Sequence, residues 1–262
     1  SVIILNEFSS DSQIMFFLYS LFTIVLIYIA ITKYTKYVRT SLIIFLLIPG
    51  LYLNSFCILR QAIAGSILFL AFFYLIYNKS LLKFCLLSLV AFLFHYSAIL
   101  PVIVLLLGYK ILQKSYSLTF YIIVLCLSLV LWQINLAAFL LGFSFGKYLI
   151  YLDFTYHMSP LKLAVSNLFI LTLIYFKNRV IATKEDNTIL NIIFVGVVII
   201  NVFSDFEHLT RFSYYFLIFQ IILVPNLIYS FKNNNLKIIV LALFISYYFL
   251  MLGNALLTDM GT

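Results

Sequence analysis

Charge is scarce in this chain: Lys, Arg, Asp and Glu together make up 9% of its 262 residues, while 65% are hydrophobic. A soluble domain carries charge on about a quarter of its residues. So small a share excludes a wholly water-facing exterior, and a mean hydropathy of +1.17 points to lipid as the covering. Cysteine is scarce too, limited to Cys57, Cys85 and Cys126, each inside or beside an apolar run. Three dispersed thiols without C-x-x-C spacing argue against a disulfide framework or a cysteine metal site, so packing between helices is their expected role. Equally missing are a phosphate-binding glycine loop, a G-x-S-x-G elbow, an H-E-x-x-H pair and an acidic metal cluster. No metal and no cofactor is therefore implied.

What the chain has in abundance is apolar runs separated by short polar breaks. They fall at 12–31, 41–56, 61–77, 81–94, 97–109, 117–141, 160–176, 188–203, 211–230 and 238–252. A straight helix needs about 20 residues to cross the hydrocarbon, so several of these must be tilted, broken or sheltered by protein. Strands are not expected, because the runs lack the alternation of a barrel wall. The fold class is all-α: a polytopic transmembrane protein of about ten membrane segments, some short or broken, forming one integral membrane domain over residues 1–262. The chain opens on Ser1 rather than Met, so upstream residues are expected. No basic stretch with a small-residue cleavage site precedes the first run, as a signal peptide would require.

The net charge of +8 does not signal nucleic acid, because the basic residues sit at the ends of apolar runs. Their distribution decides the topology, since cytoplasmic loops carry the excess of Lys and Arg. Residues 81–109 read either as one long helix or as two arms meeting at His95-Tyr96-Ser97. With two arms, twelve basic residues share one side and only Arg60, Lys147, Lys162 and Arg211 the other; with one helix the split is eight and eight. The two-arm reading is the one expected. It places Pro101 early in the second arm, where a missing N–H matters least. Six acids then fall outside, Glu7, Asp11, Asp153, Asp205, Glu207 and Asp259, and function is sought on that outer side.

Three clusters there carry chemistry. Arg60 stands between apolar runs, followed by Gln61 and by small residues, Ala62, Ala64, Gly65 and Ser66, that suit close helix packing. A guanidinium so placed either grips a phosphate through its planar fork or snorkels to lipid phosphates. His95, at the junction of the arms, can accept a proton near neutral pH; the alternative is a ring that satisfies the broken backbone. In 205–215, Asp205, Glu207, His208, Arg211 and Tyr215 open an apolar span. If that segment is α-helical, His208, Arg211 and Tyr215 share one face, while Glu207 and Arg211 can form a plain i,i+4 ion pair. The longest outer loop, about 142–159, holds Lys147, Asp153, Tyr156 and His157 among aromatics. It is expected to lie on the membrane surface, with substrate contact through Asp153 and His157 as the alternative. Most of the aromatic residues are expected to face lipid or the interface, although tyrosines on the outer side can stack on sugar rings.

Leu59-Arg60-Gln61-Ala62-Ile63-Ala64, then Lys79 and Lys83, then Ala91-Phe92-Leu93-Phe94-His95-Tyr96-Ser97-Ala98 resemble the core of the EpsG family of Wzy-type bacterial polysaccharide polymerases. Arg211-Phe212-Ser213-Tyr214-Tyr215-Phe216, with Pro225 beyond it, is similar to the family's downstream segment. The resemblance is strongest over about 54–112. It implies an enzyme, a glycosyltransferase that joins oligosaccharide repeat units carried on undecaprenyl pyrophosphate at the outer face of the bacterial cytoplasmic membrane. In that reading Arg60 and Arg211 stabilise the pyrophosphate leaving group without a metal. His95, or His208 as second choice, takes the proton of the acceptor hydroxyl. Gln61, Tyr96, Tyr215, Asp205, Glu207, Asp153 and His157 are the further substrate contacts expected, and the lipid tail lies in a groove between spans. Expected partners are the lipid-linked oligosaccharide, membrane lipids, a chain-length regulator and a flippase, with no nucleic acid.

Two rival readings are a lipid-oligosaccharide flippase or transporter, and a membrane acyltransferase that modifies surface glycans. Transporters often show inverted repeats and ionisable groups at the midplane; here the ionisable groups gather at span ends and no repeat is visible. The charge split itself generates a prediction. In a background lacking the three native thiols, His95→Cys reacts with an impermeant maleimide added from outside the cell. Reaction only after the inner face is opened would disprove the two-arm topology.

Overall fold

The computed structural model describes residues 12–134, 158–180 and 183–260, and every element among them is helical. In chain order these are α1 (Ser12–Tyr34), α2 (Val38–Leu47), α3 (Pro49–Tyr52), α4 (Asn54–Cys57), α5 (Leu59–Ile76), α6 (Leu81–Phe94), α7 (Ile99–Leu112) and α8 (Leu118–Gln133). Then follow α9 (Pro160–Tyr175), α10 (Lys177–Val180), α11 (Lys184–Val202), α12 (Glu207–Thr210), α13 (Tyr214–Leu217), α14 (Gln220–Ser230) and α15 (Asn234–Met260). Among the described residues, four helices are long and apolar enough to cross a membrane, two bent pairs qualify jointly, and there are four shorter apolar helices. Each of the ten expected runs has a helical counterpart among the described residues, four to six of them long enough to cross a membrane, and the chain is an all-α polytopic membrane protein. The run 117–141 is described only to residue 134, and the loop 142–159 lies outside the described residues except for its last two positions.

Two runs expected as single spans are bent. The run 41–56 breaks between α2 and α3, where the two halves meet at 84°. Ile48 precedes a proline and is extended (φ −86°, ψ 104°), the conformation to which a following proline restricts a residue. The run 211–230 bends by 47° between residues 217 and 220. By contrast, α6 ends at Phe94 as expected, and a 3₁₀ turn at Tyr96–Ala98 joins it to α7. The Tyr109 hydroxyl donates to the Leu75 carbonyl at 3.3 Å and lies 3.5 Å from the Lys79 ammonium. A straight helix over 81–109 would carry Tyr109 about 40 Å from that point. The arms fold back as a hairpin, which is the two-arm reading.

Contacts group the chain into two compact units. The first comprises Ser1–Tyr109, Gln220–Asn226 and Tyr248–Thr262. Its centre is α5, 67% buried and packed between α1 and α6. Close approach is possible because α5 turns small residues inward: Ala64, Ser66 and Ala71 are fully buried, as is Ala91 on α6. Aromatic rings fill the remaining space, with Phe72 stacked on Phe84 at 5.8 Å and Tyr34 on Phe73 at 4.4 Å. A buried Tyr248 hydroxyl donates to Gln220 Oε1 at 3.2 Å, so neither polar group is stranded.

The second unit comprises Lys110–Phe219 and Leu227–Tyr247, and its centre is α11, 78% buried. A capping box opens α11: Thr183 Oγ1 accepts from the Asp186 N–H at 3.2 Å while Asp186 Oδ2 accepts from the Thr183 N–H at 3.1 Å. Ser117 and Ser159 cap α8 and α9 one-sidedly, accepting from the Phe120 and Lys162 N–H groups, with Pro160 at the first helical position of α9. Buried amides then tie the unit together. Asn191 Nδ2 donates to the Leu112 and Lys114 carbonyls at 2.7 and 2.9 Å, and its Oδ1 accepts from the Tyr121 hydroxyl at 2.6 Å. Asn167 and Asn201 exchange reciprocal amide bonds at 2.7 and 2.9 Å, and Asn201 also donates to Ser128 Oγ at 2.8 Å. Gly196 lets α13 approach closely, since a Cβ there would stand 3.0 Å from Leu217 and Phe216.

The three cysteines do not pack between helices as expected; Cys57, Cys85 and Cys126 are free and exposed. Cys85 and Cys126 are exposed on α6 and α8, and Cys57 is exposed at the end of the short α4.

The amide cluster yields a prediction. Asn201→Leu fills the space but removes the amide that donates to Asn167 Oδ1 and Ser128 Oγ, and the part-buried Asn167 oxygen left without a donor costs about 1–3 kcal/mol. Unfolding of the detergent-solubilised protein should show that loss, and most of it should disappear in an Asn167→Leu/Asn201→Leu double variant. Equal stability of Asn201→Leu and the wild type would show that the pair does not support the fold.

Candidate functional site

The cleft of interest belongs to the first unit and forms where α5 begins. Ile58 precedes the helix with φ −111° and ψ 55°, supplies no side-chain cap, and no acid occupies the first turn. The leading amide groups of α5 therefore keep their partial positive charge, equivalent to roughly half an elementary charge at the helix start. Arg60 and Gln61 lie on this same turn, Arg60 exposed and Gln61 only 7% exposed. Together with His95, Met15, Tyr19, Cys57, Ile58 and Leu59 they line a cleft of about 330 Å³.

Two adjacent residues of α1 hold the walls in place. Ser20 Oγ donates to the Ser55 carbonyl at 2.8 Å, fixing α4 and hence Cys57. Tyr19 meets Phe94 edge-on, their centroids 6.3 Å apart, which sets α1 beside the residue that precedes His95. Neither Tyr19 nor Met15 carries a sequence signal that separates it from the many other apolar residues of α1. Cys57 does stand three residues before Arg60, yet packing is the usual reading of such a thiol.

His95 sits in the break between the arms. Its N–H donates to the Ala91 carbonyl and its own carbonyl accepts from the Ala98 N–H, both at 3.0 Å. The broken backbone thus satisfies itself. Among the described residues the imidazole makes no hydrogen bond and caps no helix, so the ring is not spent on holding the turn. Burial, and secondly the Arg60 charge, lower its pKa from the ordinary 6.5. Both causes favour the neutral ring, the form able to accept a proton. Among the described residues no carboxylate pairs with Arg60. An uncompensated guanidinium, an uncapped helix start and a neutral imidazole thus share one cleft with apolar walls. That set suits an anionic group and a neighbouring hydroxyl, with a place for lipid chain. Tyr96, next to His95, points away at 78% exposure and stacks edge-on against Phe92 at 5.4 Å.

The remaining candidates belong to the second unit or lie outside the described residues. The segment after α11 does not form one regular α-helix: α12 is followed by a 3₁₀ turn at Arg211–Ser213 and then by α13. The 3₁₀ turn breaks the spacing that would align His208, Arg211 and Tyr215 on one face. Tyr215 is a core side chain, 2% exposed, whereas His208 is exposed and Arg211 partly so. Glu207 opens α12. Asp205 accepts a hydrogen bond from the Trp132 indole at 2.7 Å, a link across 73 positions that ties the end of α8 to the turn after α11. Asp153 and His157 lie outside the described residues. Among the described residues, no cluster of His, Cys, Asp and Glu could hold a metal ion.

Fold and cleft define a polytopic α-helical membrane protein with a cationic, partly apolar site at a break between helices. The chain belongs to the EpsG family, whose sequence model matches residues 2–260. Neither a curated protein nor a solved structure matches it. Membership places the chain in membrane-bound polysaccharide biosynthesis, with a role of the polysaccharide-polymerase type.

The electrostatics of the cleft are testable. In a His157→Gln/His208→Gln background, pH-dependent acylation of His95 by diethyl pyrocarbonate has its half-point below 6.5. Arg60→Gln removes the second cause but not the first, so the half-point rises partway toward the ordinary value. The sign follows from charge: losing a nearby cation makes protonation easier, so the neutral form disappears at a higher pH. An unchanged half-point would mean that Arg60 and His95 do not feel one another.

Proposed function

We propose that this protein polymerises oligosaccharide repeat units carried on undecaprenyl pyrophosphate, at the outer face of the bacterial cytoplasmic membrane, by metal-independent glycosyl transfer. The observation that carries this reading is the convergence of Arg60 and His95 in one cleft beside the uncapped start of α5. The acceptor sugar hydroxyl attacks the anomeric carbon of the donor chain. The carbon–oxygen bond to pyrophosphate breaks as the glycosidic bond forms, and the growing chain passes to the incoming lipid-linked unit. His95 takes the proton from the attacking hydroxyl, for which its lowered pKa keeps it unprotonated. Arg60 and the leading amides of α5 meet the negative charge that develops on the leaving pyrophosphate. Met15, Tyr19, Ile58 and Leu59 give apolar walls for the first isoprene units, and Gln61 orients the phosphate or the adjoining sugar. Arg211, His208 and the exposed Tyr96 are further substrate contacts in this reading, as are Asp153, His157 and Glu207. Asp205 acts indirectly, through its hydrogen bond from Trp132, and the buried Tyr215 acts as part of the core.

The decisive experiment uses the intact gene. Deletion leaves single repeat units on the surface polysaccharide gel in place of a ladder; loss of even single units would identify a flippase instead. Within the cleft, His95→Gln protein is expected to be produced and to bind lipid-linked oligosaccharide, while chain formation falls by about 10²–10⁴-fold. Arg60→Lys keeps the charge but loses the planar fork, and is expected to impair turnover as well. Normal ladders from both variants would remove this cleft from the chemistry. Loss of the ladder in His208→Gln alone would move the base to His208.

A further inference from the structure

The opposite end of the first unit carries a second arrangement that the transfer reaction does not use. Lys33 ends α1 and Lys83 begins α6, and both ammonium groups reach the ring of Tyr74 on α5. Lys33 Nζ stands 4.6 Å from the ring centroid and Lys83 Nζ 5.2 Å. The two cations are therefore no further apart than those distances laid end to end, and both side chains are exposed. Among the described residues neither forms an ion pair with a carboxylate. Like charges held this close repel, and an exposed cation–π contact offsets only part of that.

The Tyr74 hydroxyl sharpens the point. It accepts from Lys33 Nζ at 3.3 Å, and its own hydrogen has no acceptor among the described residues. Lys83 has no hydrogen-bond acceptor there either. A phenolic donor and two ammonium groups thus converge with nothing anionic between them. The chain turn that brings Lys83 back is built with effort. It closes through a Ser80 N–H bond to the Tyr74 carbonyl at 3.0 Å, and Lys79 takes a left-handed conformation, φ 51°. A non-glycine residue in that region costs energy that the surroundings must offset. Here the Lys79 ammonium returns to the Ile76 carbonyl at the end of α5, so Lys79 shapes the turn and leaves the binding to its neighbours.

We propose that Lys33, Lys83 and Tyr74 form a binding site for the phosphate of an anionic glycerophospholipid headgroup on the inner side of the membrane. By the distribution of basic residues this is the cytoplasmic end, where anionic lipids and juxtamembrane lysines meet. The acyl chains lie along the apolar helix faces that continue from the site, among them exposed Leu82, Leu86 and Ile29. A phosphodiester oxygen accepts from Tyr74 while its charge balances the two lysines.

The test uses the full chain in detergent and measures phosphatidylglycerol binding by native mass spectrometry. Phosphatidylcholine and free glycerol phosphate serve as the parallel probes. Wild type retains phosphatidylglycerol and neither of the others at matched concentration. Lys33→Gln or Lys83→Gln weakens retention on the order of five-fold, and the pair on the order of thirty-fold. Tyr74→Phe, which keeps the ring and both lysines, weakens it severalfold. Lys36→Gln/Arg39→Gln, removing two exposed cations outside the cluster, leaves it unchanged. The proposal is overturned if the Lys33/Lys83 double variant binds like the wild type or if the Lys36/Arg39 variant loses as much. Binding of free glycerol phosphate equal to that of the lipid also overturns it.

Discussion

Within hydrocarbon no water is available to a peptide N–H or carbonyl, and each one left unpaired costs several kcal/mol. The consequence here is that helix breaks are the expensive places in the chain and must be built with partners at hand. At Ile48 the N–H returns to Ile44, and the carbonyl accepts from Leu51 and Tyr52. At His95 the main chain again closes on itself through Ala91 and Ala98. Because the backbone supplies its own partners there, the imidazole is left for other work. The interruption that permits a short arm to turn back is the same one that delivers a proton acceptor beside Arg60.

The second unit meets the same constraint with side chains. Asn167, Asn191 and Asn201 are each bonded to more than one partner, and Tyr121 and Ser128 complete the set. A half-satisfied network would be worse than an apolar core, whereas a satisfied one sets a single register between helices. In lipid, where burial of apolar surface gives helices little reason to prefer one another, hydrogen bonds and close packing supply the preference. Gly196 contributes the packing part by admitting Leu217 and Phe216 to contact distance.

Much of the architecture was legible because its signals are local. Segment ends at Phe94 and Pro160 follow from the runs themselves, and the hairpin of α6 and α7 follows from where lysines and arginines fall. The break after Ile48 was also written in the chain, as a proline at 49, but the length of the run concealed it. The bend near residues 218 and 219 carries neither glycine nor proline, so nothing local announces it. In the cleft, Arg60, Gln61 and His95 are polar residues in an apolar chain and stand out by type. Tyr19 and Met15 do not, since only packing against α4 and α6 distinguishes them from their neighbours. The failure at 205–215 has a physical cause too: a pattern of offsets presumes regular α geometry, and the 3₁₀ turn at Arg211 removes it. Trp132 and Asp205 are 73 positions apart, a separation at which no spacing rule operates.

The composition of α11 bears on how the protein enters the membrane. Its mean hydropathy is 1.5, against 2.6 for α1 and 2.1 for the span that begins at Asn234. Three asparagines account for much of that deficit, and an isolated segment of this kind partitions into lipid less readily than its neighbours. Yet Tyr121, Ser128 and Asn167, the groups that satisfy Asn191 and Asn201, lie on α8 and α9. Those helices are synthesised first. By the time α11 leaves the ribosome its partners are already present, so its membrane entry draws on helices made earlier and not on its own apolarity alone.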